Sequence, residues 1–339
     1  GFKSHEVSNV IVALGEARSL EITLALASLA ETVNVVAASQ LIDTARAGTA
    51  SNVDQQSIES LPTIARSLSD IARIRPLFNS MGSGGGDGAS VVSVAGTSFR
   101  YNNLQIDGAA NNDLFGLASS AGAPGGTAET QPVSLDAIAE LQLVVSPYDV
   151  RQGGFAGGGI NAVTKSGSNQ LHGSGFYFGR NQNWVGKLNP VNLATPTSVA
   201  AVSTFSDKQG GVSLGGPIAK NKMFFFGTVD FARKKRPTGY SVAGSGQNYG
   251  NDALIDQFLN DLKTLYNYTP GAAAKDEFTR ATDSNKYFGR VDVNVTKNNR
   301  LTVRNNLILS LNDIAGSPST SSYRFPDNFY RYVSNTNSA

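Results

Sequence analysis

The side chains that most often carry covalent chemistry are scarce in this chain. Its 339 residues hold no cysteine and two histidines, His5 and His172. Without cysteine there is no disulfide, no thiolate zinc site and no thiol nucleophile. Neither histidine stands in an HExxH or HxxE arrangement, so a histidine zinc centre or a catalytic triad would have to be assembled from isolated parts. The stretch Gly82-Ser83-Gly84-Gly85-Gly86-Asp87-Gly88 lacks the GxxxxGK[ST] spacing that cradles a nucleotide phosphate. It reads as a flexible loop, with a calcium site as the lesser alternative. No paired acid and base stand beside a motif. The chain is therefore expected not to be an enzyme, and no catalytic residue, metal or cofactor is nominated.

Charge removes another class. Lys and Arg number 28 against 26 Asp and Glu, a net charge of +2. Such a balance gives no field to hold a polyphosphate backbone, so a dedicated nucleic-acid binder is not expected. The dense basic run is Arg233-Lys234-Lys235-Arg236. A hydrophobic content of 40% rules out wholesale disorder, yet no segment reaches the roughly 18 to 20 apolar residues of a spanning helix. Residues 20–30 come nearest and are broken by Glu21, Thr23 and Ser28. The chain opens on Gly1 without a signal-peptide pattern, so it is expected to begin inside a larger protein or after processing. A β-barrel would still be invisible to hydropathy, because its strands alternate.

Alternation is what the second half shows. From Tyr287 to Val295 the odd positions include Val291, Val293 and Val295, and the even positions Phe288, Arg290, Asp292 and Asn294. After Lys297-Asn298-Asn299, the residues Leu301, Val303, Leu307 and Leu309 stand against Arg300, Thr302, Arg304 and Asn306. A period of two on both sides of a tight turn makes a hairpin. Residues 209–216 and 222–232 make another around the turn 217–221, and 171–180 make an earlier strand. Short connections at 217–221 and 297–299 alternate with long ones at 181–206 and 233–284, as turns and loops do in a transmembrane barrel. Under that reading the Val and Leu set faces lipid and the Arg, Asp, Asn and Thr set a polar lumen. A soluble sandwich with one face in bulk water stays open on strand pattern alone.

Residues 53–165 are of another kind. Within 57–78, Ile64, Leu68, Ile71 and Ile74 recur at helical spacing up to Pro76. Short strands at 91–94 and 104–106 lead into Asp107-Gly108. A capped short helix is expected over 134–140, followed by a strand over 141–145. In the long connection, Leu254, Ile255, Phe258, Leu259, Leu262, Leu265 and Tyr266 point to an amphipathic helix.

Three blocks then carry a family resemblance. They are Leu104-Gln105-Ile106-Asp107-Gly108-Ala109-Ala110-Asn111-Asn112-Asp113, then Ser134-Leu135-Asp136-Ala137-Ile138-Ala139-Glu140-Leu141, then residues 153–167 with Gly158, Asn161, Thr164, Lys165 and Gly167. In this order they resemble the plug domain of TonB-dependent outer-membrane receptors, most of all the Oar-like branch. The segments 214–218, with Phe224-Phe225-Phe226, and 287–292 are similar to that branch's opening barrel strands. Residues 1–30 resemble the end of a carboxypeptidase-regulatory-like β-sandwich, a name that implies no peptidase activity. Glu31, Thr32, Val33, Asn34 and Val35 are similar to a TonB box, a short strand able to add to the edge of a partner's sheet; the last strand of the sandwich is the other reading of these residues.

The fold class so implied is mainly β: the end of a β-sandwich (1–30), a linker with the box-like strand (31–52), an α+β plug domain (53–169) and the first strands of an antiparallel transmembrane barrel (170–339). The plug motif comprises Asp107, Gly108, Asn112, Asp113, Gly158, Asn161, Thr164, Lys165 and Gly167. The implied partners are a TonB-type inner-membrane energy-transducing protein, outer-membrane lipid and a transported ligand that the sequence does not name. The implied location is the outer membrane of a Gram-negative-type bacterium. The implied work is energised transport through a plugged barrel, with a surface adhesin-like or protein-export barrel as the alternative. A soluble secreted hydrolase is the weakest reading. Five or six strands cannot close the 22-stranded barrel of such transporters. A fragment with an open sheet is expected, ending in a sixth strand around Phe329 to Val333.

Overall fold

The structure, a computed structural model, describes residues 22, 49–61, 63, 66–81, 91–113, 125–145, 157–185, 204–237, 240–241, 247–248, 252–269, 279–315, 323–325 and 329–339. The sandwich-like segment apart from Ile22, the box-like residues Glu31 to Val35 and the glycine-rich loop at 82–88 lie outside the described residues.

The first body is built on a five-stranded sheet. Its strands are β1 (Thr49–Asp54), β4 (Asn103–Ile106), β5 (Ala109–Ala110), β6 (Ile138–Val145) and β7 (Gly158–Thr164), in the order β1-β6-β7-β4-β5. β6 runs antiparallel to β1 and β7, while β4 runs parallel to β7. A separate antiparallel pair, β2 (Phe78–Met81) and β3 (Val91–Val94), lies beside them. Val53, Ile71, Phe78, Val94, Ile106, Leu141, Leu143 and Ile160 close the core.

Helix is shorter here than the apolar spacing suggests. The segment gives α1 (Gln55–Ser60) and α2 (Leu68–Ala72) instead of one run. Leu61 precedes a proline, which disfavours helical backbone, and it is extended. The Ser67 hydroxyl then caps α2 by accepting from the Asp70 amide. Ile74 falls past the helix end and is 42% exposed. The expected helix at 134–140 is a single 3₁₀ turn, Leu135–Ala137, and strand β6 already begins at Ile138. Ser134 makes no side-chain cap there, because its hydroxyl is engaged by another domain.

The second body is a six-stranded antiparallel sheet. It contains β8 (His172–Asn181), β9 (Ser206–Ala219), β10 (Met223–Pro237), β13 (Thr279–Asn294), β14 (Arg300–Ala315) and β15 (Phe329–Ser338), in the order β15-β14-β13-β10-β9-β8. Two residues each of β11 (Tyr240–Ser241) and β12 (Gln247–Asn248) pair in parallel within the long β10–β13 connection. The same connection holds α3 (Asp252–Tyr266), which buries Ile255 against Leu259 and Tyr323. The strands reach well beyond the alternating runs. In the first turns of β13 both faces are polar, through Thr282, Asp283, Ser284, Asn285 and Lys286, so hydropathy gives no period to read. The sheet is open, with β8 and β15 at its edges.

Register fixes the two faces. Val291 pairs with Val303 and Phe225, and Val293 with Leu301, on the outward face. Arg290 pairs with Arg304 and Phe226, and Asp292 with Thr302, on the inward face. Val303 is 60% exposed whereas Asp292 is fully buried. This inversion is what a wall with lipid outside and protein inside requires. The inward face is not uniformly polar, however. Phe226 and Phe288 join the core of the first body, which thereby gains a few kcal/mol of apolar burial from the wall.

Gly167 stands where the chain passes from the first body to the second. A Cβ there would meet the Phe225 carbonyl oxygen and, at 2.7 Å, that of Gly216. Both are backbone atoms, so the strands cannot yield by a rotamer change. Gly167→Ala is expected to destabilise the full-length protein by about 1–3 kcal/mol, read as a lowered thermal transition.

Candidate functional site: the seam between plug and wall

Asp107 and Gly108 make the two-residue turn between β4 and β5, with φ of 50° and 81°. Both central residues at positive φ is the turn type that suits strand twist, and Asp followed by Gly accommodates it. The turn aims the Asp107 carboxylate across the sheet at the end of β7. There it accepts from the Thr164 amide and from the Thr164 hydroxyl, each at 2.7 Å. Asn161 of the same strand accepts from the Gly108 amide at 3.1 Å. Asp107, Gly108, Asn161 and Thr164 of the sequence motif are thus brought together.

The other motif residues have separate tasks. Asn112 accepts from the Leu104 amide at 2.7 Å and donates to Asn103, closing the β4–β5 corner. Lys165 reaches Glu59 of α1 at 3.3 Å. Gly158 lies against Val94, where a Cβ would collide with both methyl groups. Asp113 stands at the end of the described part of its loop.

The wall meets this turn with two guanidinium groups. Arg290 lies 3.7 Å and Arg304 3.5 Å from the Asp107 carboxylate. Arg290 also donates to the Thr164 hydroxyl at 2.8 Å and carbonyl at 3.1 Å. Arg304 donates to the Ile106 carbonyl at 2.8 Å. Arg290 is held in place by Asp292, whose carboxylate takes its Nε at 3.0 Å and Nη2 at 3.1 Å. Thr302 and Arg300 complete the ring around Asp292, at 2.6 and 3.1 Å.

Further contacts repeat the theme along β14. Asn306 donates to the Pro132 carbonyl at 2.8 Å and Asn312 to that of Thr127 at 3.2 Å. On β10, buried Asp230 accepts from Ser134 at 2.9 Å, from Gln209 at 3.1 and 3.2 Å, and faces Lys286 at 3.5 Å. Arg66 joins Asp136 at 2.7 Å and lies over the rings of Phe176 and Phe178 on β8, at 4.4 and 4.7 Å. Burial pushes the Asp136 carboxyl above its ordinary value, and Arg66 opposes the shift.

Spacing placed Arg290, Arg304 and Asn306 on the lumenal face, but no local signal said what they would touch. Asp230, Arg66 and Asn312 were missed for the same reason. Their partners lie far along the chain, and register alone joins them. Among the described residues no group of three or more His, Cys, Asp or Glu could hold a metal ion. What this seam can do chemically is hold main-chain carbonyls and one carboxylate with side-chain donors. Asp107→Asn keeps the turn but removes the charge that faces two guanidiniums. Its expected cost is about 1–3 kcal/mol, seen as a lower thermal transition and faster amide exchange across β4, β5 and β7.

Comparison with known proteins agrees with the two bodies. Residues 40–160 match the family model described as the TonB-dependent Receptor Plug Domain, and residues 163–251 match that of an Outer membrane beta barrel domain. The chain is 27% identical over 304 residues to the TonB-dependent transporter Oar of Myxococcus xanthus, covering 78% of this chain and 26% of that protein. It shares its fold with the outer-membrane transporter YddB of Escherichia coli, with a TM-score of 0.56 and 16% identity over 79% of this chain and 34% of the other. The siderophore receptor PirA of Acinetobacter baumannii is also similar, at 17% identity and a TM-score of 0.47 over 79% of this chain and 32% of that one. The chain thus spans about a quarter to a third of the length of these relatives. With a plug-domain match over the first body followed by an outer-membrane barrel match that runs into the second, the chain resembles the TonB-dependent receptors of the outer membrane.

Proposed function

We propose that the protein imports a ligand across the outer membrane by withdrawing the plug from the barrel wall, with the work supplied by a TonB-type protein of the inner membrane. The observation that carries this reading is the chemistry of the seam. Wall side chains donate to the plug carbonyls of Thr164, Ile106, Pro132 and Thr127. Such hydrogen bonds can be exchanged for water at a small net cost. A seat made mostly of apolar surface would resist water instead. On this reading the work is movement of the plug against the wall.

The domain limits we assign are 1–30 for the end of a regulatory-like sandwich, 31–52 for a linker, 53–169 for the plug and 170–339 for barrel. The outward apolar set, with Val212, Leu214, Val303 and Leu301 exposed, fits contact with lipid. Within the linker, Glu31, Thr32, Val33, Asn34 and Val35 are the proposed grip for the energising protein. They would pair as a strand with its sheet edge, taking affinity from main-chain hydrogen bonds.

A peptide covering residues 28–40 is expected to bind the periplasmic domain of a TonB protein, and Val33→Pro to abolish that binding by removing one donor and fixing the backbone. Titration by fluorescence anisotropy measures both. Absence of binding by the unmodified peptide would count against this grip.

A further inference from the structure

The short connections of the wall gather positive charge at one end. Residues 165–171, which lead from β7 into β8, carry Lys165; residues 217–222 carry Lys220 and Lys222; residues 295–300 carry Lys297 and Arg300. None of the three segments holds an acidic residue. Two of these cations face carboxylates, Lys165 that of Glu59 at 3.3 Å and Arg300 that of Asp292 at 3.1 Å. Lys220, Lys222 and Lys297 are exposed, and among the described residues their ammonium groups meet no carboxylate. In an outer-membrane barrel the end with the short turns is periplasmic.

This end is also shaped. Asn221, held at a φ of 63°, donates its amide to the Asn169 side chain at 2.8 Å, and Asn169 Nδ2 donates back to the Asn221 side-chain oxygen at 2.6 Å. Asn294 donates to the Asn221 carbonyl at 3.0 Å. The three connections are thereby tied into one rim. Within it lies a cavity of about 450 Å³ lined by Asn221, Asn294, Lys297, Asn298 and Arg300. Amide side chains both donate and accept, so the cavity suits main chain and carboxylates better than apolar side chains.

The chain itself supplies a complementary segment. Residues 1–48 carry Glu6, Glu16, Glu21, Glu31 and Asp43 against Lys3, Arg18 and Arg46, five carboxylates to three cations and a net charge of −2. This segment joins the plug at Thr49, so it is tethered to a body seated on the wall. Tethering makes docking intramolecular, at an effective concentration on the order of millimolar. Exposed ion pairs too weak to hold a free partner then suffice. We propose that the periplasmic rim of the wall is the docking surface for residues 1–48 of the same chain, with carboxylates of that segment set against Lys220, Lys222 and Lys297 around the asparagine-lined cavity. Docking concerns where the segment rests, so it stands apart from the transport reading above.

The test uses the full-length protein in detergent. The sequence has no cysteine, so nitroxide labels at Ser19→Cys and Asn298→Cys report a single distance by electron spin resonance. A narrow short-distance population is expected at low salt. It is expected to broaden at about 1 M salt, where the screening length falls to about 3 Å. Charge reversal by Lys220→Glu, Lys222→Glu and Lys297→Glu is expected to broaden it likewise and to speed amide exchange within residues 1–48 by roughly tenfold or more. Unchanged exchange across β13 and β14 shows the wall intact, and the salt arm decides without any change to the turns. Adding Glu6→Lys, Glu16→Lys and Glu21→Lys to the reversed protein is expected to restore the narrow population. Lys235→Glu, at the opposite end of the wall, is expected to leave it as it was. A broad population in the charge-unmodified protein at low salt, a narrow one that survives salt or charge reversal, or a swap that restores nothing would overturn the proposal. Docking with no response of residues 28–40 to a TonB protein would count against the transport reading alone.

Discussion

Everything about where the plug sits turns on the Asp107 carboxylate, which belongs to two structures at once. Within the plug it takes two hydrogen bonds from Thr164 and so pins the β4–β5 turn to the end of β7. Towards the wall it faces Arg290 and Arg304 at 3.7 and 3.5 Å. Arg290 donates to the same threonine, and Asp292 holds it there. The position of Asp107 follows from a turn that needs positive φ at both residues. The position of Arg290 follows from strand register. Plug and wall can therefore match only if each is folded correctly, and that makes the seam specific.

The same chemistry makes the seam reversible. At an effective dielectric of about 20 a close ion pair is worth several times what it is worth in bulk water. Water entering between plug and wall lowers that value and at the same time satisfies the freed carbonyls. The apolar part of the seat is small by comparison: Phe226 and Phe288 reach the plug core, while the neighbouring inward positions are Thr228, Asp230, Lys286 and Arg290. A seat of this kind is firm while dry and weak once wetted.

Much of this was legible in the sequence wherever one face was apolar. The hairpins around 217–221 and 297–299 and the lumenal set from Arg290 to Asn306 follow from a period of two. The plug motif pointed to Asp107, Gly108, Asn161 and Thr164, which do converge. The outer halves of the strands were illegible because both faces are polar there. Ser134 reads as a helix cap but donates to Asp230, since only a 3₁₀ turn follows it and a wall carboxylate lies within reach. Three phenylalanines in a row put aromatics on both faces, and only register tells that Phe226 turns inward. Arg236 and Arg280 look unrelated along the chain, yet the sheet sets them opposite one another.

The central claim is that the plug is held by exchangeable polar contacts and leaves while the wall stays intact. Single-molecule pulling tests it most directly: the full-length protein is held in a bilayer and drawn from the N-terminal side of Thr49. The expected record is stepwise release of the plug sheet, beginning with β1, at forces that leave β8 to β15 in place. Peeling of wall strands before or together with the plug would contradict the claim.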